Sequence, residues 1–426
     1  MKKRSFISGA AAIFAALLFA GAALAAGKQP AAASATQQKG QPAAGQQGRP
    51  ADFSYPRIVH PTRVGKPLDI PDIGGYRVLK CDFHNHTLLS ADGLVSPMNR
   101  ITEGIETGLD ALAITDHFGY VRSAAIPEAT EAKFFERARA IAAANHFTFI
   151  MGSELNATTK AWPIIHANAL FLKDKNDIRD MYDLIAKDQS NVDTPQKAYD
   201  VFVEQIRMAK AKGAFTELNH PWFMQPGDKF AITPTLKRLF DEKLFDGIEI
   251  VNASIREQVD NDAFALCLEK GLTIIGNTDC HDLIFTYLNN FHIAHRGMTL
   301  VFARENSAAA IREALDAGRT IAVSNFKFYG RPDNIEMLVR GTIVAQVDPA
   351  ANLLSLRNLS GLPYRLDVVL PDGYVKPEWV QLDAHGVVSV RLERLDNAAG
   401  AFAGSVTLVV RNAFVAPDKN FSMTVN

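Results

Sequence analysis

Short apolar runs typical of β-strands alternate with amphipathic helical stretches between residues 78 and 324. The predicted strands are 78–83, 111–115, 147–152, 166–172, 214–218, 247–251, 272–276 and 298–302. The predicted helices, with apolar positions three and four residues apart, are 97–108, 128–145, 195–212, 233–242, 260–270 and 307–317. This alternation predicts a parallel sheet covered by helices. About seven such units favour a closed barrel, while an open sheet stays compatible with the pattern.

After residue 324 the pattern changes to β-type runs separated by turns rich in Pro, Gly and Asn. These runs are 335–345, 353–358, 366–370, 387–392 and 404–411, and we see no long helical pattern between them. Their spacing predicts a small antiparallel β-sandwich of about 100 residues. We therefore expect an α/β domain at 53–324 and a C-terminal β-sandwich domain at 325–426.

The first residues have the pattern of an export signal. Lys2, Lys3 and Arg4 precede an apolar run at 10–24, and Ala23-Leu24-Ala25 resembles a signal-peptidase site. The run of about 15 residues is short for a membrane span, which needs about 20. We predict a cleaved signal peptide at 1–25, a flexible tether at 26–52, and a periplasmic or secreted protein without a stable membrane span. An N-terminal membrane anchor is the alternative.

Composition narrows the classes of function. Apolar residues make up 47% of the 426 residues, enough for a sizeable core, and 45 basic residues nearly balance 46 acidic ones. That balance excludes a strongly basic protein that coats nucleic acid, and it gives no indication of binding to anionic membranes. Eleven histidines and three cysteines indicate imidazole chemistry rather than a disulfide framework.

Nearly every predicted strand ends in, or is followed by, a side chain that binds metal ions in other proteins. His84 and His86 lie two apart at a strand end and so project from one face, and Asp279 and His281 repeat this spacing. A single histidine at a strand end is more often a hydrogen-bonded core residue. Applied to all positions, that reading would leave Glu154 and Asp279 buried without cations, which is costly. The joint pattern therefore predicts a metal site.

These motifs resemble those of the PHP (polymerase and histidinol phosphatase) superfamily in order and spacing. The matching motifs are Asp-Phe-His-Asn-His-Thr at 82–87, Ser-Ala-Asp-Gly at 90–93, Ile-Thr-Asp-His at 114–117, Gly-Ser-Glu at 152–154 and Asp-Cys-His at 279–281. Residues 93–97, 166–171, 219–221 and 295–302 further resemble exported bacterial PHP proteins of the Sb-PDE phosphodiesterase type.

The resemblance implies a distorted (β/α)7 barrel that holds two to three divalent ions. Imidazole and carboxylate ligands suit Mn, Zn or Fe(II). Carried over motif by motif, the ligands would be His84, His86, Glu154 and Asp279 for the first ion, Glu154, His166 and His220 for the second, and Asp92, His117 and His281 for the third. The family usually has Ser-Asp-Gly without an insertion, so the additional Ala91 is expected to shift Asp92.

The implied activity is hydrolysis of a small phosphoester, most favourably a phosphodiester, by a hydroxide that two ions share. The predicted catalytic residues are His117, Asp279, Arg296 and His295. Arg296, or else Arg122, would hold a phosphoryl oxygen, with a surface salt bridge as an equal alternative. His295 would be a general acid or a supporting residue, and Cys280 is interpreted as packing because it would point away from its neighbours Asp279 and His281.

Other functions stay open from the motifs alone. They are a phosphomonoesterase of the histidinol-phosphatase type, a metal-dependent hydrolase of C–N or C–O bonds, and a non-catalytic metal-binding module. A polymeric nucleic-acid substrate is not expected, and the sequence does not indicate an oligomeric state.

Overall fold

The computed structural model describes residues 68–90, 92–117, 128–156, 163–173, 194–223, 225, 227, 229–253, 259–290 and 295–426. All of them belong to the compact unit Ser54–Asn426. The predicted signal peptide and tether lie outside the described residues. Among the helices of the described ranges, none is long and apolar enough to cross a membrane.

Strands and helices alternate through the first part of the chain, as predicted. The strands are β1 Arg77–Asp82, β2 Ala111–Ile114, β3 Thr148–Asn156, β4 His166–Leu170, β5 Phe215–Leu218, β6 Gly247–Asn252, β7 Thr273–Asn277, β8 Met298–Ala303 and β9 Thr320–Ser324. The helices are α1 Pro97–Glu106, α2 Glu128–Ala144, α3 Pro195–Ala211, α4 Pro234–Asp241, α5 Asn261–Lys270, α6 Ile284–Asn290 and α7 Ala308–Asp316.

Local sequence explains where several helices begin. Helices α1, α3 and α4 each start with proline, directly after a Ser or Thr whose hydroxyl oxygen accepts a backbone N–H three residues on. Proline has no N–H to leave unsatisfied in the first turn, and the hydroxyl satisfies one of the remaining donors. Helix α5 ends at Gly271, whose φ of 68° is the left-handed conformation that glycine adopts without strain.

The central sheet places β1 to β7 side by side in chain order. The pairs β1–β2, β2–β3, β5–β6 and β6–β7 are parallel, whereas β4 runs antiparallel to both β3 and β5, and β8 runs antiparallel to β1. The prediction of a wholly parallel sheet is therefore wrong at β4 and β8. Two side chains also link β7 to β8 and β9, which lie beyond β1 in the strand order. Thr299 Oγ1 on β8 donates to the Gly276 carbonyl, and Thr320 Oγ1 on β9 donates to the Ile274 carbonyl.

Beyond Ser324 the chain contains β-strands and one helix that the sequence did not indicate. The elements are β10 Lys327–Gly330, α8 Pro332–Thr342, β11 Ile343–Asp348, β12 Leu353–Asn358, β13 Tyr364–Val369, β14 Val380–Leu382, β15 Val387–Arg391, β16 Val406–Ala416 and β17 Lys419–Val425. The predicted strand at 335–345 is wrong up to residue 342, where the buried residues Ile335, Leu338, Val339 and Thr342 have the three- and four-residue spacing of a helix face, and 343–345 belong to β11.

The C-terminal strands fall into two sets. Strands β11, β12 and β15 form a small three-stranded antiparallel sheet, which agrees with the predicted β character of this region. Strands β13, β14, β16 and β17 instead extend the large sheet, because β16 pairs with β10 and β10 pairs with β9. One hydrophobic cluster contains Leu300 and Val323 from the first region together with Leu366 and Val410 from the second.

Candidate metal centre

All nine predicted metal ligands lie together at the ends of the central strands. The groups whose donor atoms lie within 4.8 Å of one another are His84, His86 and Asp279; His84, Glu154 and His220; His117, Glu154 and His166; and His86, Asp92, His117 and His281. Because the carboxyl ends of parallel strands meet at one edge of a sheet, motifs far apart in sequence converge there.

The pair His84 and His86 forms the most deeply buried part of this cluster. Their Nε2 atoms are 3.2 Å apart, and Asp279 Oδ1 lies 3.1 Å from each. His84 Nδ1 lies 3.2 Å from a carboxylate oxygen of Glu249, which can only accept, so with an ion on the Nε2 side the remaining ring proton would be on Nδ1. A carboxylate and facing imidazole nitrogens are donors that a divalent transition metal prefers, so the residues fit the implied ion.

Glu154 contacts more imidazoles than any other acid of the described cluster. The Glu154 side chain is 1% exposed, and its Oε1 accepts a hydrogen bond of 2.7 Å from Asn219 Nδ2. The contacts with histidine are Oε1 to His84 Nε2 at 3.3 Å, to His166 Nδ1 at 3.2 Å and to His220 Nε2 at 3.3 Å, and Oε2 to His86 Nε2 at 3.4 Å and to His117 Nδ1 at 2.9 Å. Two oxygens facing different histidines are the arrangement that a bridging carboxylate needs.

Asp92 lies at the more open side of the cluster. Its Oδ2 is 3.2 Å from His117 Nε2 and 3.4 Å from His281 Nε2, and its side chain is 40% exposed. Ala91 itself lies outside the described residues. The insertion therefore does not separate Asp92 from its expected partners, and the third ligand group is complete in the described structure.

The carboxylates give the cluster a strong affinity for positive charge. Burial alone would lower the pKa of His117, but Glu154 and Asp92 outweigh it and raise this pKa to about 10. The same balance raises the pKa of His84 well above its usual value, through Asp279, Glu154 and the buried Glu249 on β6. Conversely, although burial opposes its charge, the pKa of Glu154 is well below the usual range because His84, His117 and His166 lie beside it. Such a site holds cations, whether protons or metal ions.

Arg296 is buried and paired with Asp82 in the described structure, so its contacts do not support the predicted role as a substrate contact. Its side chain is 1% exposed, and its guanidinium pairs with Asp82 and donates to Thr107 Oγ1 at 3.0 Å and Thr278 Oγ1 at 3.3 Å. Asp82 in turn accepts from the Thr278 backbone N–H at 3.2 Å, in the segment that leads to Asp279. Arg296 neutralises a buried carboxylate behind the ligands.

His295 also lies apart from the ligands in the described structure. Its Nδ1 lies 3.2 Å from the Arg296 carbonyl, and its ring lies 6.1 Å from that of Phe326. Burial, and then the nearby charge of Arg296, lower the pKa of His295 to about 4. A histidine with this pKa is neutral at pH 7 and lacks the second ring proton of an imidazolium, which a general acid would donate, so the general-acid prediction is not supported. Arg122 lies outside the described residues.

A buried arginine that the sequence analysis did not single out joins two ligand-bearing loops. From α1, Arg100 Nε donates to the His86 carbonyl at 3.0 Å, and Nη2 donates to the Cys280 carbonyl at 3.0 Å. Arg100 Nη1 also lies 3.4 Å from Cys280 Sγ, and burial raises the pKa of this thiol to about 11. The interpretation of Cys280 as a packing residue therefore agrees with its contacts. An arginine on the buried face of an amphipathic helix was the only available signal for Arg100.

Comparison with known proteins places these residues in a family. The model of the PHP domain matches residues 82–220. A two-domain protein from Bacteroides vulgatus, described as containing a predicted PHP-like metal-dependent phosphoesterase, is 31% identical with a TM-score of 0.70, over 86% of this chain and 99% of its own. A search of curated proteins finds no match.

Two further solved structures are more distant. One is described as a metal-dependent phosphoesterase from Bifidobacterium adolescentis, with 15% identity and a TM-score of 0.36 over 56% of this chain and 96% of its own. The other is an amidohydrolase from Chromobacterium violaceum with bound sulfate and no metal, with 17% identity and a TM-score of 0.33 over 47% of this chain and 87% of its own. These scores are too low to bear on function.

Proposed function

Because the chain belongs to the PHP family, we propose that it is an exported, metal-dependent phosphoesterase that hydrolyses small phosphodiesters. The observation that carries the proposal is the ligand set, in which all nine predicted residues lie within donor distance of one another in four groups. The relative from Bacteroides vulgatus, described as containing a predicted PHP-like phosphoesterase, supports this class of reaction.

Residues of this chain would hold up to three divalent ions, with Mn, Zn and Fe(II) as the candidates that the donors favour. Such ions supply a water of lowered pKa and positive charge beside phosphoryl oxygens. Glu154 contacts imidazoles from all four groups, with distances of 2.9 to 3.4 Å between its carboxylate oxygens and the ring nitrogens. Asp92 and His281, the more exposed ligands, face the side from which substrate would enter.

A phosphodiester fits the charges of the described residues better than a phosphomonoester does. A diester carries one negative charge and a monoester about two, so a monoesterase gains more from cationic side chains beside its ions. Arg100 and Arg296 are both buried, with their guanidinium groups directed at backbone carbonyls and at Asp82. Neither is available for a second phosphoryl charge. The resemblance of 93–97 and 295–302 to exported phosphodiesterases supports the same choice.

The architecture that accompanies this function is also part of the proposal. We infer that β1 to β7 form the distorted (β/α)7 barrel, supported by the hydrogen bonds from Thr299 and Thr320 to β7. Residues 325–426 would form a second domain packed on it, supported by the two-domain description of the Bacteroides vulgatus protein. Export rests on residues 1–25, and sequencing the N-terminus of the protein from the periplasm or medium tests it.

Matched p-nitrophenyl monoesters and diesters, together with p-nitroanilide amides, test the reaction class. We expect kcat/KM to be highest for the diesters, to vanish with a chelator and to return with Mn, Zn or Fe(II). Elemental analysis of protein purified from the periplasm would identify the ion. Preference for monoesters would move the chain to the histidinol-phosphatase type, and turnover of amides alone would refute phosphoester hydrolysis.

A further inference from the structure

Strand β6 supplies no metal ligand, yet it carries a buried carboxylate below the cluster. Glu249 stands in the run Gly-Ile-Glu-Ile-Val-Asn, all six of whose residues are buried, and it is itself 0% exposed. A charge buried in this way is costly unless hydrogen bonds satisfy it. The partners of Glu249 therefore decide what it does.

Both oxygens of Glu249 accept hydrogen bonds. Oε1 lies 3.2 Å from His84 Nδ1 and accepts from Asn277 Nδ2 at 3.0 Å. Oε2 accepts from the His220 backbone N–H at 2.7 Å and from Asn252 Nδ2 at 3.1 Å. Other contacts fix the orientation of both amides. Asn277 Oδ1 accepts the Phe83 N–H at 2.9 Å, and Asn252 Nδ2 also donates to Asp279 Oδ2 at 3.0 Å.

These contacts connect one carboxylate to three ligands. His84 is held through its ring, His220 through its backbone, and Asp279 through the shared Asn252 amide. We propose that Glu249 is a positioning residue. It would fix the His84 tautomer and hold His84, His220 and Asp279 in the positions that two ion sites need. The proposal rests on the metal binding of the proposed function and is independent of the substrate. Carboxylates that hold a ligand histidine by its second ring nitrogen commonly tune metal affinity.

Glutamine is the sharp test because it has the size of glutamate but only one acceptor oxygen. Each Glu249 oxygen faces two donors, so in Glu249→Gln the amide NH2 must face either His84 and Asn277 or His220 and Asn252. Either orientation places donors against donors. Volume and hydrophobic packing are unchanged, so the variant changes only the charge and the hydrogen bonding of the carboxylate.

The matched control is Glu217→Gln on the neighbouring strand β5. Glu217 is also 0% exposed, and it accepts from Asn168 Nδ2 at 2.7 Å and Asn277 Nδ2 at 3.1 Å, on Oε1 alone. Glutamine can keep both bonds with its own oxygen. Replacing this glutamate by glutamine in the same buried layer should therefore leave metal affinity within about twofold, because no hydrogen bond joins Glu217 to a metal ligand among the described contacts.

The experiment measures metal binding directly, by titrating the full chain with Zn²⁺ or Co²⁺ against a competing chelator. We expect Glu249→Gln to lower the affinity by about 10- to 100-fold and to change the Co²⁺ absorption spectrum, which reports ligand geometry. Circular dichroism checks that the variant folds. If it does not fold, Asn252→Ala, which removes the amide shared with Asp279, should give a severalfold loss instead.

The proposal would be overturned if Glu249→Gln had the same metal affinity and Co²⁺ spectrum as Glu217→Gln. Wild-type affinity in a folded Asn252→Ala chain would also overturn it. Failure of the proposed function looks different. A wild-type chain that binds metal but hydrolyses no phosphoester would end the functional proposal and leave the role of Glu249 standing.

Discussion

The carboxylate of Glu217 should make the metal-free protein less stable as the pH rises. Burial, and next the nearby charge of Glu249, raise the pKa of Glu217 from 4.5 to about 8. In the unfolded chain this group loses its proton near pH 4.5, but in the folded chain it keeps the proton up to about pH 8. The folded state therefore binds the extra proton in this window, and its stability falls as the pH rises through it.

The size of the effect follows from the shift, because each pKa unit corresponds to about 1.4 kcal/mol. Ionising Glu217 in place should cost on the order of a few kcal/mol, an upper estimate since water entry would relieve it. Glu217→Gln removes the titration and keeps an acceptor for Asn168 and Asn277. We expect the variant to gain stability relative to wild type between pH 5 and pH 9, with most of the gain present by pH 8.

Urea unfolding of both chains at pH 5, 7 and 9, with a chelator present, measures this difference. Comparing the two chains cancels the titration of the other acids and histidines, which both contain. A constant difference in unfolding free energy across the three pH values would refute the reasoning, because it would mean that Glu217 titrates alike in the folded and unfolded states.

Three other perturbations follow from the described contacts. Glu154→Gln should lower bound metal and cut turnover by several orders of magnitude, because it removes charge facing five imidazoles; metal content and single-turnover rates check this, and wild-type values would contradict a bridging role. Arg296→Ala should destabilise the fold by about 3–5 kcal/mol, because it leaves buried Asp82 without its cation. Calorimetry measures this loss, and a variant of wild-type stability with only a raised KM would instead support Arg296 as a substrate contact. Truncation after Gly330 should yield an aggregating chain, because it strips Leu366 and Val410 from the shared hydrophobic cluster; soluble protein with bound metal would instead mark an independent domain boundary.

The convergence of the nine candidate ligands could be predicted from the sequence because their positions follow from strand ends. His84, His86, Asp279 and His281 stand directly after apolar strands, and the topology of a parallel sheet alone brings such ends together. The orientation of a long side chain was harder to predict. Arg296 stands beside a strand as a substrate contact would, but its direction depends on Asp82, a partner more than 200 positions away in the chain.

Glu249 and α8 were missed for different physical reasons. One glutamate in an apolar strand gives no periodic signal, and its importance depends on donors from its own strand and from three other segments. For α8, the β-branched residues favoured a strand locally, and Gly341 weakened the helical pattern. Pro332 at the helix start and the burial of Ile335, Leu338 and Val339 against the sheet decided the outcome, because tertiary packing overrides weak local preference.

The pairing of β10 with β16 affects how the protein folds during synthesis. Phe328 lies beside Ala413 in a parallel pair, although α8 and the strands from β11 to β15 lie between them in the chain. Until Val406–Ala416 leaves the ribosome, β10 has an open edge whose backbone groups can pair with another chain. Contacts between such distant segments slow folding, since the loop between them must close first. The nascent chain therefore depends on late-arriving strands to protect its sheet, and chaperones that bind extended segments would be needed most in that interval.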